Sequence, residues 1–221
     1  MRETYHDELN TVVNDLVAMS ERVRGALMAA TQALLSADLT VAEQCISDDD
    51  EVDAMADDLE TRCFSLLARQ APVAGELRIV VAAIRMVGDL SRMGDLAAHI
   101  AKIARMRYPE HAVPESLTQN FRRMATVAEE MVTTAGRTLS ERDVRDAESL
   151  ADSDEEMDEL RRLHFRVMLD GEWPHSIEAA VDVALLGRYY ERIADHAVLM
   201  ARRVIYIVTG TQPEGEHWTI A

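Results

Sequence analysis

The chain writes one pattern twice. At an offset of 105 residues, Asp38 falls on Asp143, Ala42 on Ala147, Glu43 on Glu148, Asp49 on Asp154, Glu51 on Glu156 and Asp53 on Asp158. At an offset of 100, Arg92 falls on Arg192, Asp95 on Asp195, Ala97 on Ala197 and Ala101 on Ala201. The five-residue change between the two offsets falls around the turn from the second helix to the third, where length is cheapest to vary. Internal self-similarity predicts two copies of one supersecondary unit packed on each other. The copies are expected at 1–109 and 114–209, followed by a short tail, 210–221.

Each copy reads as helix. Apolar residues recur at three- and four-residue spacing from Leu9 through Val12, Val13, Leu16, Met19, Val23 and Leu27 to Leu34, the stripe of a helix with one buried face. Asp38 follows that run and is placed to cap the next helix; Asp143 repeats the signal. Pro72 and Gly75 break the chain, Trp173-Pro174 repeats the break, and Pro109 and Pro114 bracket a linker. The expected helices are 3–36, 39–69, 75–107, 115–140, 144–170 and 175–208. Helices this long pack as antiparallel bundles. The fold class is all-α: two tandem, pseudo-symmetric three-helix bundles.

Composition supports this and narrows the function. Nine glycines and five prolines in 221 residues are about half the usual share, too few turn formers for a many-stranded sheet. Forty acids against 23 bases leave a net charge of −17, which opposes binding to nucleic acid or an anionic membrane surface. One base is a lysine, Lys102, and the rest are arginine. Cys45 and Cys63, 18 residues apart on one expected helix, sit about 27 Å from each other, beyond disulfide reach. With neither a signal-like start nor a run long enough to span a membrane, the expected location is cytoplasmic.

The repeated acids carry the candidate chemistry. Asp49 and Asp53, Asp154 and Asp158, and Glu191 and Asp195 are each four residues apart, on one face of a helix. Such pairs on adjacent helices offer the oxygen donors that hard cations prefer; Mg, Mn, Fe and Zn all stay open. In the first copy Ser91 stands where the second has Glu191, leaving Asp95, with Asp89 and His99 as weaker candidate ligands. Arg188 and Arg192, each three residues before an acid, offer a metal-free alternative by pairing with those acids. There is no Gly-rich phosphate loop and no nucleophile motif. The Glu-x-x-His match Glu172-Trp-Pro-His175 contains a proline and sits at a turn, so it does not form a di-iron ligand set.

These residues carry a family resemblance. Asp49-Asp-Glu-Val-Asp53, Pro72-Val-Ala-Gly-Glu-Leu-Arg78 and Asp89-Leu-Ser-Arg-Met-Gly-Asp95 resemble the first half of a PhoU-family protein. Asp154-Glu-Glu-Met-Asp158 and Glu191-Arg-Ile-Ala-Asp-His-Ala197 resemble its second half. The resemblance covers residues 1–209, and the arginine-rich composition suits an actinobacterial member. It implies a cytoplasmic regulator without catalytic activity that links a phosphate ABC transporter ATPase to a sensor histidine kinase, held peripherally at the inner membrane face by those partners. It also implies paired E(D)xxxD metal motifs, which fall here on Asp49, Asp53, Asp95, Asp154, Asp158, Glu191 and Asp195. Long amphipathic faces make a homodimer the expected state.

Two rivals follow from the same residues. One is a metal-binding or metal-storage bundle in which the acidic pairs are the whole purpose. The other is a histidine phosphotransfer protein using His196, which neighbours Asp195 on a long helix.

Overall fold

The computed structural model describes residues 2–169, 171 and 173–213. Six long helices follow one another: α1 (Arg2–Ser36), α2 (Leu39–Gln70), α3 (Ala74–Arg107), α4 (Thr118–Glu141), α5 (Val144–Leu169) and α6 (Ile177–Thr209). The expected start at 115 is a single 3₁₀ turn, Glu115–Leu117, in which Leu117 N–H bonds the Pro114 carbonyl at 2.9 Å; α4 begins after it. The tail from 214 onward, with Trp218, lies outside the described residues, as does Glu172.

The ends are set by local chemistry. Asp38 Oδ1 accepts from Val41 N–H at 3.0 Å, and Asp143 Oδ1 accepts from Arg145 and Asp146 N–H at 2.9 and 3.1 Å. Each side chain satisfies helix-end donors that have no partner within the helix. Ser176 caps α6 by accepting from Ala179 N–H at 3.1 Å, so this helix starts at 177 and His175 stays outside it. Gly210, at φ +80°, closes α6 in the left-handed conformation that glycine adopts without steric cost.

Within the first copy α1, α2 and α3 pack on one another; in the second, α4 lies against α5 and α6, and α5 against α6. The copies join through α1 against α4 and α3 against α6. One hydrophobic cluster runs through all six helices, from Leu16 and Met19 through Leu59 and Met93 to Phe121, Met157 and Tyr190. Polar links cross the seam. Arg107 grips the buried Asp182 with two nitrogens, at 2.5 and 3.3 Å, and Thr31 and Tyr190 share a hydroxyl bond of 2.8 Å. Each outer helix, α2 or α5, therefore rests mainly on its own copy and carries one acidic pair toward the inner helix beside it. Cys45 and Cys63 are buried free thiols on α2. Among the described residues no helix is long and apolar enough to cross a membrane.

Candidate functional site

Two acidic faces result, one per copy. On the first, α2 brings Asp49 and Asp53 against α3. Gly94 makes this approach possible: a Cβ there would lie 3.0 Å from Val52 Cγ1 and 3.1 Å from Asp49 Oδ1. Burial raises the Asp49 carboxyl above its ordinary range; Asp95 and Asp53 raise it further, and Lys102 opposes them. Asp95 is paired with Arg92 at 2.7 Å. Ser91, in the place of a carboxylate, donates to Asp53 at 3.3 Å.

The second face is more crowded. Burial pushes the Asp154 carboxyl up to about 7, helped by Asp195, Asp158 and Glu191. Asp195 is pushed to about 6 by burial and by Glu191, against the pull of Arg192, Arg188 and His196. Packing thus brings Asp154, Asp158, Glu191 and Asp195 within electrostatic reach of one another, as two pairs on facing helices require. Arginine supplies the countercharge. Arg188 donates to Glu191 Oε2 at 2.5 Å, Arg161 Nη1 lies 3.1 Å from Glu191 Oε1, and Arg192 pairs with Asp195 at 3.2 Å.

In this arrangement no three His, Cys, Asp or Glu side chains among the described residues are placed to hold a metal ion together. Asp154 and Asp158 are the second-face carboxylates least tied down, since Glu191 has arginine on both oxygens and Asp195 has Arg192. At Glu191 and Asp195 a cation would compete with a guanidinium. The donor set is chemically suited to a hard cation, because crowded carboxylates gain from any added positive charge.

Two weaker candidates are engaged elsewhere. Asp89 is about 240° around the helix from Asp95, so it faces α6 and not α2. Buried there, it accepts from His196 Nδ1 at 3.1 Å and from Arg203. His99 meets Asp95 through the main chain, its Nδ1 2.6 Å from the Asp95 carbonyl, and its ring rests beside Tyr189. His196, the candidate phosphotransfer residue, is 8% exposed and held by Asp89; a phosphoryl-accepting nitrogen needs an open approach.

Sequence reasoning missed the Asp89–His196–Arg203 network and the role of Arg161. A signal was present. At the repeat offsets these four polar residues fall on Tyr189, Leu96, Ile103 and Ala56. A polar residue in one copy opposite an apolar one in the other marks a contact that the repeat does not share.

The comparisons with known proteins follow the same division. The PhoU domain matches residues 16–104 and 121–204. A Mycobacterium tuberculosis protein, phosphate-specific transport system accessory protein PhoU homolog 2, is 48% identical over 213 residues, 96% of this chain and 100% of that protein. The PhoU homolog 1 of Mycobacterium leprae is 47% identical over 216 residues, 98% of this chain and 97% of the relative. The crystal structure of PhoU from Pseudomonas aeruginosa superimposes with a TM-score of 0.87 at 31% identity, covering 94% of this chain and 100% of the other.

Proposed function

The chain belongs to the PhoU family, and on that premise we propose that it is a non-enzymatic negative regulator of phosphate uptake and of the phosphate-starvation response. It acts by docking, coupling a phosphate ABC transporter ATPase to a sensor histidine kinase at the inner face of the membrane. The observation that carries this reading is the identity of 47–48% over nearly the whole chain with relatives named as phosphate-transport accessory proteins. At that level the fold and the order of motifs are retained from end to end.

Two surface properties support a docking role. The net charge of −17 favours encounter with basic patches on a partner and makes the contact salt-sensitive. Ile177, Val181 and Leu185 form an exposed stripe at four-residue spacing along α6, the kind of apolar surface that partner binding covers. A homodimer belongs to the same proposal and is checked by light scattering.

The test is made in cells. The gene and any paralogue are deleted, cells are grown with abundant phosphate, and transcripts for phosphate transport and scavenging are counted. Transcripts that rise as though phosphate were absent support the regulator. Transcripts that stay repressed, with altered metal content or tolerance, overturn it in favour of the metal-binding bundle. That second reading rests on the crowding at Asp154 and Asp195.

A further inference from the structure

The second acidic face carries a cation of its own. Asp154, Asp158 and Arg161 follow one another along α5 at i, i+4 and i+7, so the arginine continues the row of the acidic pair. Its Nη1 lies 3.1 Å from Glu191 Oε1 on α6. Arg188 holds the other oxygen, Oε2, at 2.5 Å from within α6. Of these two links, that of Arg161 crosses between the helices that carry the two acidic pairs.

That link is close but poorly bonded. Glu191 is 1% exposed, and its Oε1 makes no hydrogen bond among the described residues: Arg161 Nη1 stands within ion-pair range but outside hydrogen-bond geometry. Arg161 Nε is also buried without a hydrogen-bond partner. A buried acceptor and a buried donor left unbonded each cost free energy. The contact therefore attracts by charge and lacks the paired hydrogen bonds that fix an arginine on a carboxylate. The guanidinium has a second support, the Phe165 ring, 5.4 Å from its carbon, and its side chain is 31% exposed. On losing Glu191 it keeps the ring and reaches water. Glu191 has no such outlet and needs a replacement charge.

The repeat sets this arrangement apart from the shared fold. At the offsets of 105 and 100, Arg161 falls on Ala56, Phe165 on Glu60, Arg188 on Gly88 and Glu191 on Ser91. The buried acid, both its arginines and the ring beneath one of them are missing together from the first face. Parts that are absent as a set act as one unit.

We propose that Arg161 is a removable latch on the second acidic face: it gives Glu191 the positive charge that a hard divalent cation would give, and such a cation enters by displacing the guanidinium toward Phe165 and solvent. This takes from the metal reading of that face that its carboxylates accept a cation, and adds a competitor built into the chain. A divalent ion brings two charges to the carboxylates where the guanidinium brings one. Arg188 keeps its own oxygen of Glu191 throughout, so the exchange concerns the tie between α5 and α6.

The experiment titrates the full chain, stripped with a chelator and dialysed, with Mn²⁺ by calorimetry, each variant first shown folded by circular dichroism. Arg161→Ala, which puts the first copy's residue in this place, and Arg161→Gln should each bind about tenfold more tightly than the unmodified chain. Asp154→Asn added to either should remove the gain. Arg166→Gln, which takes the same charge from an exposed position of α5, should bind as the unmodified chain does. Without metal both Arg161 variants should melt lower, and Mn²⁺ should restore them, because Glu191 is then buried with one guanidinium fewer. Binding by the Arg161 variants alone supports the latch as well. Equal affinity with and without Arg161 overturns the latch alone; so does an equal gain in Arg166→Gln, or one that survives Asp154→Asn. No binding by any of these chains at millimolar Mn²⁺ overturns the metal reading with it.

Discussion

Gly187 of α6 and His164 of α5 share a single space. A Cβ at Gly187 would lie 2.1 Å from His164 Cε1 and 2.3 Å from Nε2, far inside contact distance. The ring is fully buried and stacks on Phe121 with planes 4° apart; its Nδ1 lies 3.4 Å from Asn120 Oδ1. At the repeat offsets the first copy has Leu59 and Val87 in these places, both buried. The second copy exchanges volume between the two helices, a larger ring against no side chain.

Gly187→Ala should therefore destabilise the protein, although alanine is the better helix former by about 1 kcal/mol. Overpacking here is expected to cost about 1–3 kcal/mol beyond that gain. Urea unfolding measures it, and His164→Ala in the same chain should recover part of the loss because the two sites are coupled. A Gly187→Ala midpoint equal to that of the unmodified chain would show that the ring is not wedged.

His164 should also make stability depend on pH. Burial lowers its folded-state value to about 4, and Arg161 adds to this; the unfolded value is about 6.5. Between these limits the unfolded chain binds a proton that the folded chain does not. The contribution is complete above pH 6.5 and is lost as pH falls toward 4, at most about 3 kcal/mol. His164→Gln should be less stable at pH 7 yet lose less on acidification, seen in melting curves across that window. Parallel curves for the two proteins would remove His164 as the cause.

The Thr31–Tyr190 hydroxyl bond ties α1 to α6 across the seam. Tyr190→Phe should cost about 1 kcal/mol, because the Thr31 hydroxyl retains its bond to the Leu27 carbonyl. A larger loss in chemical denaturation would mean that the deletion disturbs the packing around Phe121.

On the second acidic face the sign is opposite. Asp154 has a folded value of about 7 against about 3.9 unfolded, so the folded chain holds its proton more tightly. Stability from this group falls as pH rises from about 4 to 7. Without metal, Asp154→Asn should melt higher than the unmodified chain at pH 8 and with it at pH 5. Added Mn²⁺ or Mg²⁺ should raise the melting temperature of the unmodified chain at pH 8 and leave Asp154→Asn nearly unmoved. An equal rise in both would place any cation elsewhere.

Much of this was legible from local signals. Asp38, Asp143 and Gly210 mark helix ends by chemistry that acts within a few residues, and the stripe from Leu9 to Leu34 shows which face is buried. The repeat of Asp49 and Asp53 in Asp154 and Asp158 located the acidic faces. Spacing along one helix could not tell that Asp89 turns to α6, because its partners His196 and Arg203 lie 107 and 114 residues away. Nor could it show that Arg161 joins Arg188 on Glu191, since that contact crosses between helices.

The sequence by itself determined the six helices, their ends, the doubled architecture and the position of each acidic pair, all of which depend on neighbours within a turn or two. Only the tertiary structure decided how the two copies meet: which carboxylates take guanidinium partners and which histidine is buried neutral. Those outcomes depend on distances between residues a hundred positions apart, and packing sets such distances without leaving a periodic trace along the chain.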